Sequence, residues 1–351
     1  MLLPDVQTPA VLIDTQIATA NVQKFQSYCN GLKLNTRPHI KTHKLPHLAR
    51  QQIAAGAIGI TCQKISEASA MIAQGGIDDV LITYNIIGED KLAALRDLAS
   101  RVRLSVVADS RTVIDGLSAA FAGTPPLTVL VECDTGAGRC GVQTAEQALA
   151  LARLIDAAPG LTFGGLMTYP PKGRPAQVNI WLSQAKSLIE ASGLSVDTVS
   201  TGGTPDMWQA DAVPVATEWR AGTYIYNDRS LVERDVCGYD DCALTVLATV
   251  VSRPTDHRAI VDAGSKILTS DLLGLSGHGH VLGHPAIAID QLSEEHGRLV
   301  SEAPIPLKVG DRIRIVPNHA CVVSNMVDRV ALISEGRLER FETVAARGRL
   351  I

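Results

Sequence analysis

Residues 37–44, RPHIKTHK, place two lysines, two histidines and an arginine in eight positions of a chain whose formal net charge is −4. A lysine drawn out of water holds its proton less tightly and becomes an amine nucleophile toward carbonyl groups. If RPHIK closes a strand, side-chain alternation puts Arg37, His39 and Lys41 on one face, with Lys41 at the strand end. Lys44 then falls in the following loop, so Lys41 is the working lysine. Two glycine turns, STGGTP (200–205) and RAGTY (220–224), offer exposed backbone N–H groups of the kind that bind phosphate. A nucleophilic lysine with two such turns points to a phosphorylated cofactor, and pyridoxal phosphate fits best. DTGAGRCG (134–141) adds Arg139, suited to hydrogen-bond an ionised phenolic oxygen. PNHACVV (317–323) adds His319 and Cys321, which share one side of a strand-like run and could hold a divalent metal with open positions. The histidines of GHGHVLGH (277–284) are a second, loop-borne metal candidate.

These residues need a frame. Apolar runs at 34–41, 57–63, 78–85, 103–109, 127–134, 161–169, 196–203 and 216–226 alternate with segments of helical periodicity. Eight strand candidates separated by helices read as a (β/α)8 TIM-type barrel, which carries its chemistry where strands end and phosphate sites after strands seven and eight. An open doubly wound sheet is the structural rival, and no GxGxxG follows the first strand. After about residue 235 the pattern changes to strand-like runs joined by short turns, including a continuous run through DRIRIVPNHACVVSNM. The expected organisation is a barrel over 12–233 and a mostly antiparallel β domain over 1–11 and 234–351.

Composition narrows the class. No apolar run reaches the roughly 18 residues of a membrane span. The N-terminus lacks a basic region, an apolar stretch and a small-residue cleavage site, so no signal peptide is expected. The seven cysteines form no CxxC pair and read as reduced thiols of a cytoplasmic protein. The slight acidity and lack of basic blocks argue against nucleic acid as a partner.

RPHIKTHK, DTGAGRCG, STGGTP, RAGTYIYND and PNHACVV occur in the order seen in the D-threonine aldolase and D-serine dehydratase family, which the chain resembles from TPAVLID to PNHACVV. These are fold-type III pyridoxal phosphate enzymes, related more distantly to alanine racemase. The resemblance implies an alanine-racemase-like barrel with a C-terminal β domain, as a homodimer. It implies that Lys41 bonds the cofactor and that Arg139 and Tyr169 line its pocket. Gly202, Gly203 and Thr204, with Gly222 and Thr223, match its phosphate turns, which Ser200 and Tyr224 adjoin. Arg220 resembles the arginine that faces the pyridine nitrogen in alanine racemase. His319 and Cys321 match the metal ligands, whose thiolate favours zinc over manganese or magnesium.

Members often carry a histidine after the tyrosine matched by Tyr169, whereas here Pro170 stands there. His39, His43 or a metal-bound water would then serve as the base. The implied activity is a metal-assisted lyase acting on D-β-hydroxy-α-amino acids. Aldolase cleavage to glycine and an aldehyde is favoured, and elimination from D-serine or D-3-hydroxyaspartate is the alternative. A racemase would need a second base and no metal, and a cofactor carrier would be a bare barrel.

Overall fold

The computed structural model describes residues 6–351; the first five residues of the expected β-domain segment lie outside them. The chain forms two compact units. One consists of Lys24–Lys41, Pro46–Gly222 and Arg349–Ile351, the other of the described residues up to Gln23 with Thr42–Leu45 and Thr223–Gly348. Among the described residues, no helix is long and apolar enough to cross a membrane.

In chain order the strands begin with β1 (Ala10–Asp14), then β2 (Asn35–Thr36), β3 (Ile60–Cys62), β4 (Asp79–Ile82), β5 (Arg103–Ala108), β6 (Leu127–Cys133), β7 (Leu161–Thr168), β8 (Thr198–Thr201) and β9 (Glu218–Trp219). Strands β2 to β9 form the first unit's all-parallel sheet, in the order β2-β9-β8-β7-β6-β5-β4-β3. His39 bridges to Thr61, and the Ile58 and Thr61 N–H groups donate to the Thr36 and Pro38 carbonyls at 3.0 and 2.8 Å. These bonds join the two ends of the sheet, so it closes as a barrel without an edge.

The strands are apolar runs rather than alternating ones because helices cover their outer faces. Helices α1 (Thr15–Gly31), α2 (Pro46–Ala54), α3 (Ile65–Ile72), α4 (Glu89–Ala99), α5 (Arg111–Phe121), α6 (Ala145–Ala157) and α7 (Pro175–Ala191) include those between the barrel strands. Helix α5 buries Val113, Ile114, Leu117 and Phe121, a stripe at helical spacing. Thr144 caps α6 by accepting from the Gln147 N–H at 3.2 Å.

Leu81, Val107, Leu130 and Met167, from four successive strands, cluster on the barrel's inner face. Register carries that face around the sheet, because laterally paired residues point the same way: Glu132 pairs with Met167, Met167 with Ser200, and Ser200 with Glu218. Alternation adds Arg220, and on the first strand Arg37 and His39. The barrel interior therefore holds an apolar layer and a belt of charged residues.

In the second unit β1 pairs antiparallel with β10 (Leu244–Thr255) and parallel with β16 (Arg329–Ser334). β11 (Arg258–Val261), β12 (His280–Val281), β13 (Ala288–Leu292), β14 (Gly297–Val300), β15 (Arg312–Val316) and β17 (Arg337–Thr343) complete the sheet with antiparallel pairings. Val6, Leu12, Leu247, Ala331 and Ile333 form a core on it.

Two local expectations are corrected. The continuous strand expected through residues 311–326 ends at Val316; after a turn, a helix of Ala320–Met326 follows. Pro317 has no N–H for the ladder, and the Asp228 carboxylate accepts the Ala320 N–H at 3.0 Å, which satisfies a donor at the helix start. At the other motif, Lys41 does not end a regular strand. The ladder persists to His39, whose N–H reaches the Ala221 carbonyl at 2.9 Å, and Ile40–Thr42 then tightens into a single 3-10 turn.

Candidate active site

Lys41 is half-buried and follows a histidine with both ring nitrogens engaged. His39 Nδ1 faces the Lys41 N–H at 3.5 Å, and Nε2 lies 3.1 Å from Gln63 Oε1, whose own amide nitrogen donates to the Thr83 carbonyl at 2.9 Å. An amide oxygen only accepts, so Nε2 carries the proton and Nδ1 the lone pair. His39 thus fixes the backbone that presents the lysine.

The glycine turns meet at the ends of β8 and β9. Gly202 has φ +90°, and a Cβ there would lie 2.2 Å from the buried Trp219 ring. At Gly203 an added Cβ would meet nothing nearer than 3.7 Å. Thr204 Oγ1 accepts the Gly222 N–H at 3.2 Å and ties the turns together. Thr201 Oγ1, at the end of β8, is buried without a hydrogen-bond partner. Open space beside a side-chain-free backbone and an orphaned hydroxyl suit the phosphate of the cofactor.

Arg139 stacks on Tyr169, its guanidinium carbon 4.5 Å from the ring centroid. The loop that carries Arg139 is shaped by Asp134, which accepts from the Gly136 and Gly138 N–H groups at 2.9 and 3.1 Å. Burial would raise that carboxyl's pKa, but these donors hold it below the usual range. The loop is also tied at Gly141, whose N–H donates to Asp109 at 3.2 Å.

Of the charged belt inside the barrel, the motif reading named Arg37, Ser200 and Arg220 but not Glu218, Asp79 or Glu132. Arg220, buried, donates from Nη1 to Ser200 Oγ at 2.5 Å and from Nη2 to the Thr168 carbonyl at 2.6 Å. Ser200 Oγ bonds Glu218 Oε1 at 2.5 Å, and Glu218 Oε2 takes Arg37 Nε at 2.9 Å. Arg37 also pairs with Asp79, which accepts Arg103 Nε at 2.6 Å. Glu132, bonded to Asn85 at 2.9 Å, is pushed up in pKa by burial and then by Asp109.

In the second unit, His319 precedes α10, the helix Ala320–Met326 numbered after α8 (Arg229–Val232) and α9 (Ser265–Leu268). His319 and Cys321 come together around that helix start. His319 Nδ1 lies 2.6 Å from Asp271 Oδ2, so the carboxylate orients the ring and Nε2 is the nitrogen available to a metal. Burial lowers the imidazole pKa, but hydrogen bonding to Cys321 and Asp271 lifts it to about 9. Cys321 Sγ lies 3.1 Å from Thr42 Oγ1 and 3.4 Å from Thr223 Oγ1. A cysteine sulfur beside an oriented imidazole suits a divalent metal. Asp271 was missed because 48 residues separate it from His319.

His43 is buried, its Nδ1 accepting the Leu45 N–H at 3.1 Å and its ring edge-on to Tyr226. Lys44 is also buried and donates to the Ala346 carbonyl at 3.2 Å. Tyr224 is buried in the short turn Thr223–Ile225. Of the GHGHVLGH histidines, His280 stacks on Tyr239 at 3.8 Å.

Comparison with known proteins places the chain. A family model described as "Alanine racemase, N-terminal domain" matches residues 13–230, and one described as "Putative serine dehydratase domain" matches 243–333. The chain is 34% identical over 363 residues to a D-threonine aldolase of Arthrobacter sp, covering 99% of this chain and 94% of that one. It is 31% identical over 371 residues to a D-threo-3-hydroxyaspartate dehydratase of Delftia sp. (strain HT23), covering 95% and 96%. The crystal structure of D-threonine aldolase from Filomicrobium marinum superposes with a TM-score of 0.92 at 34% identity, over 100% of this chain and 99% of that one. A closed parallel barrel with a half-buried lysine just past its first strand and glycine turns after its last two, and full-length likeness to both enzymes, lead to one conclusion: the chain belongs to the D-threonine aldolase and D-serine dehydratase family of pyridoxal-phosphate-dependent lyases, built on the alanine racemase fold.

Proposed function

We propose that this lyase cleaves D-configured β-hydroxy-α-amino acids to glycine and an aldehyde, in the manner of a D-threonine aldolase. The observation that carries the reading is the 34% identity to such an enzyme along 99% of the chain. Lys41 supplies the amine that bonds the cofactor. Gly202, Gly203, Thr204, Gly222 and Thr223 receive its phosphate, which Ser200 and Tyr224 adjoin, Arg139 and Tyr169 line its pocket, and Arg220 faces its ring nitrogen. When bound, pyridoxal phosphate supplies the electron sink for the pair left on the α-carbon.

His319 and Cys321 would hold a divalent metal, zinc by the preference of a thiolate, which would supply Lewis acidity toward the substrate's β-hydroxyl. His39 and His43 both accept a backbone N–H at Nδ1, so each neutral ring carries its proton at Nε2. In this reading both serve as donors that orient neighbouring groups, and Pro170 leaves no base in the position it occupies. The working form is a homodimer.

The second reading is elimination to a keto acid and ammonia. The His319/Cys321 pair and the similarity to the Delftia dehydratase favour it. There Lys41 would take the α-proton. Incubation with D-threonine and D-serine, with and without chelator, separates the two: glycine plus aldehyde identifies the aldolase, keto acid plus ammonia the dehydratase. Turnover that survives complete metal removal would refute the role given to His319 and Cys321.

A further inference from the structure

We infer that Glu218, acting through the Ser200 hydroxyl, is the positioning residue that holds Arg220 toward the cofactor ring and tempers its charge there. The inference rests on the reading that Arg220 faces the ring nitrogen. Ser200 adjoins the phosphate turns in that reading, and its hydroxyl is engaged by Glu218 and Arg220.

Donor and acceptor roles along the chain of bonds are forced. A guanidinium has N–H groups and no lone pair to offer, so Ser200 Oγ must accept from Arg220 Nη1 across their 2.5 Å contact. The single Ser200 proton is then free to go only to Glu218 Oε1, also at 2.5 Å. A carboxylate accepts both that proton and Arg37 Nε at 2.9 Å, so the order of donors runs inward from both sides onto Glu218. Arg37 is shared with Asp79, and Asp79 with Arg103, whose side chain is 76% exposed. The result is an alternation of positive and negative groups from solvent to Arg220, with Ser200 as its one neutral link. The Thr168 carbonyl takes Nη2 at 2.6 Å and fixes the plane of the guanidinium.

The electrostatics follow the same path. Burial draws Arg220 down to about 10, and Glu218 opposes this more than any other neighbour. Glu132 also favours its charge, while Arg139 and Arg37 disfavour it. A donor-only group facing a ring nitrogen requires that nitrogen to accept, hence to lack a proton. With Glu218 ionised, the field that Arg220 projects onto the cofactor is partly cancelled. Without that charge only Glu132 would offset the cation that the ring meets in a low-dielectric interior.

The test uses full-length protein loaded with pyridoxal phosphate and reads cofactor affinity and the pH midpoint of its visible absorbance, with thermal unfolding as a check on folding. Ser200→Ala removes the link and keeps both charges; it is expected to weaken cofactor binding roughly tenfold, the worth of a hydrogen bond to a charged group. Glu218→Gln keeps the shape and removes the charge; it is expected to lower the midpoint by about one pH unit. The double variant is expected to match Ser200→Ala in affinity, because the two residues act in series. Arg220→Lys is the reference. If it moves affinity or midpoint while both single variants keep wild-type values, the inference is overturned. Strictly additive losses in the double variant overturn the route through Ser200. If Arg220→Lys moves neither quantity, the underlying reading of Arg220 fails instead. Should Glu218→Gln not fold, Ser200→Ala, which removes one buried oxygen, decides the matter alone.

Discussion

Replacing Gly202 by alanine is expected to damage the fold, whereas the same change at Gly203 is expected to spare the fold and damage cofactor binding. At Gly202 the new methyl carbon would lie 2.2 Å from two Trp219 ring carbons and 2.5 Å from the indole nitrogen. Relief requires the ring to retreat by more than about 1 Å, since carbon atoms pack at roughly 3.5–4 Å. Trp219 is 1% exposed and its N–H is held by the Gly203 carbonyl at 3.2 Å, so it has nowhere to go. Overpacking of this kind costs about 1–3 kcal/mol, and a left-handed backbone for alanine adds about 1–2 kcal/mol, so a loss of about 2–5 kcal/mol is expected. At Gly203 the backbone is extended, with φ −166°, and the nearest atom to a Cβ is 3.7 Å away. The stability change there is expected to stay within about 0.5 kcal/mol. Yet the methyl would occupy the open space assigned to the phosphate, so cofactor affinity is expected to fall by an order of magnitude or more. Equilibrium denaturation of the cofactor-free protein and a cofactor titration measure the two effects. A Gly202→Ala protein as stable as the wild type would refute the packing argument. A Gly203→Ala protein with unchanged affinity would refute the phosphate assignment.

Borohydride reduction of the loaded protein is expected to fix the cofactor to the peptide bearing Lys41 and not to Lys44, and Lys41→Ala to abolish the label; mass spectrometry of the digest reads the site, and a label on Lys44 would contradict the assignment. Asp271→Ala is expected to weaken metal retention about 10–100-fold, as loss of a carboxylate behind a histidine ligand does elsewhere; retention in competition with a chelator measures it, and wild-type retention would refute the orienting role. Glu132→Gln is expected to gain stability relative to wild type as pH rises from acid to neutral. The folded state raises this carboxyl's pKa, so ionising it disfavours folding above the unfolded value near about 4.3. A stability difference that does not change with pH would refute the assignment of that shift.

The barrel was legible because its signal is local. Apolar runs such as LTVLVEC and periodic segments such as RTVIDGLSAAF report burial on two sides or on one stripe, and both properties belong to neighbouring residues. The departures arose where a distant group decides the backbone. RIRIVPNHACVV reads as one strand until Pro317 interrupts it and Asp228, far back in the chain, caps the helix that follows. Lys41 reads as a strand end, but the ladder finishes at His39 and Ala221. The charged belt was half legible: Glu218 and Arg220 are two apart in EWR, as Arg37 and His39 are in RPH, so alternation places each pair on one face. What the sequence does not carry is the register that sets Glu218 beside Ser200.

The threonines that follow Lys41 and Gly222 have a physical reason to be threonines. In RPHIKTHK and RAGTY, Lys41 and Gly222 belong to the barrel unit, whereas Thr42 and Thr223 belong to the sheet unit, where both hydroxyls reach Cys321 Sγ. Valine would fill nearly the same volume and leave the sulfur without either donor. Were the sulfur ionised, hydroxyl donors would stabilise its negative charge, by the same rule that hydrogen bonds to the sulfurs tune iron–sulfur centres. In the proposed reading adjacent positions take different tasks: Lys41 and Gly222 would serve the cofactor, while the side-chain hydroxyls of Thr42 and Thr223 meet the Cys321 sulfur. That accounts for motifs that are specific as strings although each chemical role, taken alone, needs only one residue.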